Sequence, residues 1–210
     1  MRRKININEW NRKEHYEFFS NMDNPSFGIV AEVEVTQLYE HCKKTKQSFF
    51  AQYLHRSMKA INKVEEFRLR IVDDGVYLYD VINAGSTIAR NDGTFAFSYM
   101  HFNEDFEVFN EELQKEIKEV QQSEGLRLSN EELDVNLIRH STFPWSNFTS
   151  ILHPHNINNK ESVPKIVFAK FYEKNGKLMM PVSIEAHHGL MDGRHIALYL
   201  QYFQEFLNKI

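Results

Sequence analysis

Strand-like and helix-like stretches are interleaved along these 210 residues without the strict β-α-β alternation that builds an all-parallel sheet. That order predicts an α/β two-layer sandwich with a mixed β-sheet. Residues 9–20, carrying Trp10, Tyr16, Phe18 and Phe19, read as an opening helix that ends in a turn from Asn21 to Pro25. Phe27 to Val35 alternates as a strand, and helical patterns follow near 36–45 and 48–63. Short strands are expected at 68–72, 76–81, 85–90 and 94–101, set apart by turn residues such as Asp73-Asp74-Gly75 and Asn91-Asp92-Gly93. From Asn103 to about Gln122, Phe106, Phe109, Leu113, Ile117 and Val120 keep helical spacing, and the charged opposite face reads as solvated. The last third holds expected strands at 146–152, 165–172 and 177–187 and a final helix from about 194 to 209.

With 42% hydrophobic and 13% aromatic residues the chain can bury its core without staples. No repeat or Pro/Gly/Ser-rich linker marks a boundary, so one domain over 1–210 is expected. The lone Cys42 excludes an intrachain disulfide and reads as a small buried filler. Met1-Arg2-Arg3-Lys4 is followed by no apolar run, which predicts a cytoplasmic protein with no membrane association. The net charge of −4, with basic and acidic residues interleaved, argues against nucleic acid as a partner. Neither a dinucleotide-binding glycine fingerprint nor a Walker loop occurs, so nicotinamide and ATP chemistry are not expected.

The segment that carries chemistry runs from Glu185 to His195, where an apolar strand stops and an apolar helix starts. A histidine at such a strand end can be held rigidly yet exposed, and its unperturbed pKa of about 6.5 suits proton transfer near neutral pH. Gly189 and Gly193 are expected to let the backbone turn tightly around His188, and Asp192 is placed for a structural charge pair.

These residues resemble a known family. His187-His188-x-x-x-Asp192-Gly193 is similar to the His-His-x-x-x-Asp-Gly motif of the chloramphenicol acetyltransferases. Trp10-x-Arg12-Lys13-Glu14-His15-Tyr16-Glu17-Phe18 resembles their N-terminal stretch, and Pro144-Trp145-Ser146-Asn147-Phe148-Thr149-Ser150 resembles their Pro-Trp-x-x-Phe-x-Ser stretch. Glu66-Phe67-Arg68 followed by Asp73-Asp74, and Ala169-Lys170-Phe171, fall in the same order, so the resemblance spans essentially the whole chain.

The resemblance implies acetyl transfer from acetyl-CoA, as co-substrate, to a substrate hydroxyl by direct attack, with chloramphenicol or a related small alcohol as acceptor and no metal. In that reading His188 is the general base and Ser150 donates to the developing oxyanion. Asp192 pairs with Arg12 to hold the turn, and Lys170 meets a phosphate of the CoA. Phe19 and Phe27 wall the acceptor pocket, with ordinary core packing as the alternative. The resemblance also implies a homotrimer with interfacial sites, where His188 of one subunit faces Ser150 and the N-terminal aromatic segment of its neighbour.

Several positions depart from the family pattern. Val167 stands in place of a threonine, Ser48 in place of a lysine, and the loop Met22-Asp23-Asn24-Pro25-Ser26-Phe27 is more polar than usual. These departures touch the acceptor side more than the catalytic turn, which leaves another alcohol or thiol acceptor open. A metal site built from His187, His188, Asp192 and His195 is disfavoured, because adjacent strand residues point to opposite faces and no helical His-Glu-x-x-His spacing occurs. Dihydrolipoamide acyltransferase cores carry a related turn, but no lipoyl domain or flexible linker is visible here. A binding module that kept the scaffold without turnover is the remaining reading.

Overall fold

The computed structural model describes residues 1–73, 75–128, 135–155 and 161–210. Its elements run in the order β1 (Arg2–Lys4), α1 (Lys13–Phe19), β2 (Ser26–Glu34), α2 (Thr36–Thr45), α3 (Phe49–Lys63), a 3-10 turn (Glu65–Arg68), β3 (Leu69–Val72) and β4 (Gly75–Tyr79). They continue with β5 (Asn83–Ala89), β6 (Phe95–Met100), α4 (Phe106–Gln122), β7 (Leu137–Phe143), β8 (Lys165–Ala169), β9 (Tyr172–Lys174), β10 (Lys177–His187) and α5 (Gly193–Leu207). The large sheet has the order β2-β10-β8-β7-β5-β6, with β9 paired to β10. β7 pairs parallel with both β5 and β8 while the remaining pairs are antiparallel, so the sheet is mixed as expected. A separate three-stranded sheet has the order β1-β4-β3.

Side-chain periodicity explains which face is covered. Along β10, Met180, Val182, Ile184 and Ala186 point into the main core, as do Ile166 and Phe168 of β8. Against them pack α2, α3, α4 and α5, the last through Ile196, Tyr199, Phe203 and Leu207 at three- and four-residue spacing. Cys42 is buried in this core, and burial raises its thiol pKa despite the opposing pull of Arg56. Lys165 and Val167 alternate onto the other face of the sheet. A smaller cluster of Leu69, Val76, Leu78 and Leu190 ties the small sheet to the turn after β10, with Trp10 and Tyr16 packed against it.

The structure corrects several boundaries. The opening helix is only Lys13–Phe19, preceded by turns. No strand covers 146–152; the strand in this region is β7, ending at Phe143. Its residues Arg139, His140, Ser141 and Thr142 hide a central strand behind polar side chains, which hydrogen bonds satisfy from both layers. The expected strand at 165–172 is broken at Lys170, whose N–H turns aside to donate to the carbonyls of Phe143 and Ser146. Asp74, in the turn expected before β4, lies outside the described residues. No helix among the described residues is long and apolar enough to cross a membrane.

Candidate active site

β10 delivers His187 and His188 to the edge of the core, and the chain then folds back on itself. The Leu190 and Met191 N–H groups donate to the His187 carbonyl at 3.0 and 3.2 Å, and the His188 N–H donates to the Pro25 carbonyl at 2.8 Å. Gly189 is needed for close approach, since a Cβ there would lie 3.0 Å from His187 Cε1 and 3.2 Å from Tyr16 Cα. Gly193 is different from the expectation. It opens α5 with room for a Cβ, the nearest atom being Ile29 Cδ1 at 3.8 Å, so the turn does not depend on it in the same way. His187 is buried, its Nδ1 accepting from the Gly189 N–H at 3.1 Å.

The His188 ring is half-buried between two aromatic rings. Phe19 of α1 stacks on it at 4.0 Å and 4°, and Phe27 of β2 lies 4.4 Å away. Both belong to the same chain as His188. The β2–β10 register brings Phe27 there, because Phe27 is paired with Ala186, two residues before His188. His188 Nδ1 is buried without a hydrogen-bond partner among the described residues.

Behind the turn sits Arg12, 8% exposed. Its guanidinium donates to Asp192 Oδ2 at 2.7 Å and to the His188 carbonyl at 3.2 Å, joining the start of α5 to the end of β10. Asp192 is also the N-cap of α5, accepting from the Arg194 N–H at 3.0 Å. Burial alone would raise its pKa, but the hydrogen bonds from Arg12 and the Arg194 N–H, with the charges around them, hold it below the usual carboxylate range.

Two residues that the sequence reading left without a role complete the arrangement. His195, at the third position of α5, reaches back so that its Nδ1 accepts the Asp192 N–H at 3.0 Å, while its Nε2 lies 3.2 Å from Glu66 Oε1 on the 3-10 turn. The Asp192-x-x-His195 spacing is that of a capping box and carried the signal for His195. Glu66 lies in the Glu66-Phe67-Arg68 stretch, but nothing local pointed to its partner, since its approach to His195 depends on long-range packing.

The remaining candidates lie elsewhere. Ser150 is exposed on the irregular segment after β7, a strand separated from β10 by β8, and no hydrogen bond described within the chain joins it to His188. Val167 is buried on the face of the sheet opposite the main core, in a cavity of about 360 Å³ that also holds Thr87, Phe95, Phe97, Arg139 and Lys165. Lys170 is exposed at a second cleft of about 510 Å³, whose walls include Phe49, Tyr53, Thr142, Trp145 and Phe171. Among the described residues, no group of three or more His, Cys, Asp or Glu could hold a metal ion.

Known structures share this architecture. A solved chloramphenicol acetyltransferase superposes with a TM-score of 0.93 at 33% identity, covering 99% of this chain and 100% of that one. A probable dihydrolipoamide acetyltransferase from Listeria monocytogenes has the same fold at a TM-score of 0.70 and 14% identity, over 94% of this chain and 89% of that one. The fold is that of the CoA-dependent acyltransferases, and the protein is an acyltransferase. The family model described as chloramphenicol acetyltransferase matches residues 2–204. A relative from Proteus mirabilis, named chloramphenicol acetyltransferase, is 27% identical over 98% of this chain and 94% of its own length. The chain therefore belongs to the chloramphenicol acetyltransferase family, whose general reaction is acetyl transfer.

Proposed function

We propose that the protein transfers an acetyl group from acetyl-CoA to the hydroxyl of chloramphenicol, with His188 as general base. The observation that carries this reading is the His188 ring, clamped between Phe19 and Phe27 while Arg12 holds its carbonyl and Asp192 together. Because Nδ1 is buried, Nε2 is the nitrogen a substrate hydroxyl can approach. It takes the hydroxyl proton as the oxygen attacks the thioester carbon; collapse then breaks the C–S bond and CoA leaves as the thiol after protonation. Fixing the ring beforehand removes the orientational cost of that encounter.

The cleft beside Lys170 fits the chemistry of CoA, offering apolar and aromatic walls for a pantetheine arm and an exposed ammonium for a phosphate. Ser150 would donate to the oxyanion, an interaction worth on the order of 3 kcal/mol in comparable sites. No hydrogen bond described within the chain joins it to His188, which favours a site completed by Ser150 of a second subunit, as in a homotrimer.

A second reading keeps the chemistry and changes the acceptor. The wall of the cavity holding Val167 includes Arg139, Glu161 and Lys165, with Glu161 ion-paired to both of the others. These charged groups favour an acceptor that offers them a polar atom, while Phe95, Phe97 and Leu137 keep the rest of the wall apolar.

The test is free-thiol release from acetyl-CoA, with and without chloramphenicol, in the wild type and a His188→Ala variant. Chloramphenicol-dependent release that vanishes in the variant is the expected result. Full release in His188→Ala would refute the base assignment, and no release with chloramphenicol while acetyl-CoA binds would select the second reading.

A further inference from the structure

We propose that Glu66 is a positioning residue for acyl transfer, acting through His195 on the Asp192–Arg12 brace that holds the catalytic turn. This rests on the reading of His188 as the base. His195 bridges two demands of opposite sign. Its Nδ1 accepts the Asp192 N–H at 3.0 Å, which requires that Nδ1 carry no proton. Its Nε2 faces Glu66 Oε1 at 3.2 Å, and a carboxylate can only accept, so the proton of the neutral ring belongs on Nε2. Glu66 thereby selects the tautomer that the α5 capping box needs.

The alternative tautomer would act on the brace itself. Nδ1 also lies 3.1 Å from Asp192 Oδ1, so a proton there would turn it into a donor to the carboxylate that Arg12 holds through Oδ2. The Asp192 N–H would lose its acceptor, and His195 would compete with Arg12 for Asp192. Since Arg12 also holds the His188 carbonyl at 3.2 Å, that competition reaches the catalytic ring within two hydrogen bonds.

The charged groups around His195 are Glu66 from the 3-10 turn, Asp192 from the turn before α5 and Arg12 from the N-terminal segment. The His195 hydrogen bond is the largest influence on Glu66 and holds its pKa below the usual value against burial, so the carboxylate is ionised at neutral pH. Histidine ligands elsewhere are oriented in the same way, by a carboxylate on the far nitrogen.

The experiment compares Glu66→Ala and Glu66→Gln with wild type and His188→Ala. It measures steady-state acetyl transfer, thermal melting and the ring-nitrogen NMR spectrum of histidine-labelled protein. Glu66→Ala is expected to lower kcat about tenfold, with KM for both substrates within about twofold and little change in melting temperature. In Glu66→Gln the amide oxygen still accepts from Nε2–H, so kcat should return to within about threefold of wild type. The wild-type spectrum should show His195 protonated at Nε2, with the second tautomer appearing in Glu66→Ala. Unchanged kcat in Glu66→Ala, a fall matched by loss of folded protein, Glu66→Gln as slow as Glu66→Ala, or a wild-type His195 protonated at Nδ1 would each overturn the proposal. Full turnover in His188→Ala would instead remove the base assignment, and the ring spectrum would still decide whether Glu66 sets the tautomer.

Discussion

Acid should destabilise this protein through a histidine that takes no part in the chemistry. His140 lies on β7 in the centre of the sheet, 3% exposed, with its ring stacked 5.9 Å from Phe168. Its Nδ1 is 3.3 Å from the Gly85 carbonyl and its Nε2 is 3.5 Å from Ser57 Oγ. Burial, the largest influence, pushes its pKa down from 6.5 to about 4, against the raising effect of the Gly85 and Ile138 backbone. The unfolded chain takes up this proton at about pH 6.5 and the folded protein only near pH 4, so the unfolded state binds more protons between those values. Stability is therefore intact above pH 6.5 and lost as the pH falls toward 4. At 1.36 kcal/mol per pH unit, the loss is about 2 kcal/mol by pH 5 and about 3 kcal/mol by pH 4. Carboxylates contribute to acid unfolding as well, so the measurement is a difference. Urea unfolding of wild type and His140→Gln is followed at pH 7 and pH 5, at one fixed protein concentration because an oligomer's stability depends on it. The variant, less stable at pH 7 through lost packing, should lose about 2 kcal/mol less than wild type between the two pH values. Parallel losses in both proteins would refute the argument.

Two further perturbations test the turn. Arg12→Ala strips Asp192 of its strongest partner and the His188 carbonyl of a donor; it should cost about 2 kcal/mol, less than for a fully buried pair because Asp192 is partly solvated, and lower kcat. Urea unfolding and steady-state kinetics check both effects, and unchanged kcat would remove the brace from the mechanism. Gly189→Ala sets a Cβ against Tyr16 Cα and the His187 ring and should cost about 1–2 kcal/mol through overpacking, read as a lower melting temperature.

Much of this arrangement was legible because it is local. The alternation of β10 runs from Lys177 to His187 as its residues predict, and the spacing in α4 and α5 places their apolar faces on the core. β7 was missed for a physical reason: burial in a central strand is read from apolar residues, whereas His140 is buried here by hydrogen bonding to Ser57 and Gly85. The segment at 146–152 carries a strand-like pattern, yet the Lys170 N–H binds the Phe143 and Ser146 carbonyls and the segment remains irregular.

The sequence by itself determined the strand-turn-helix that carries His188 and Asp192, because those residues are close along the chain and their geometry follows from strand and helix periodicity. It also carried, through five motifs in order, the resemblance that assigned the family. Only the tertiary structure decided that Phe19 and Phe27 of the same chain clamp His188, and that Glu66 stands behind His195. Those contacts join residues more than a hundred positions apart, and strand register and core packing, which no local pattern encodes, bring them together.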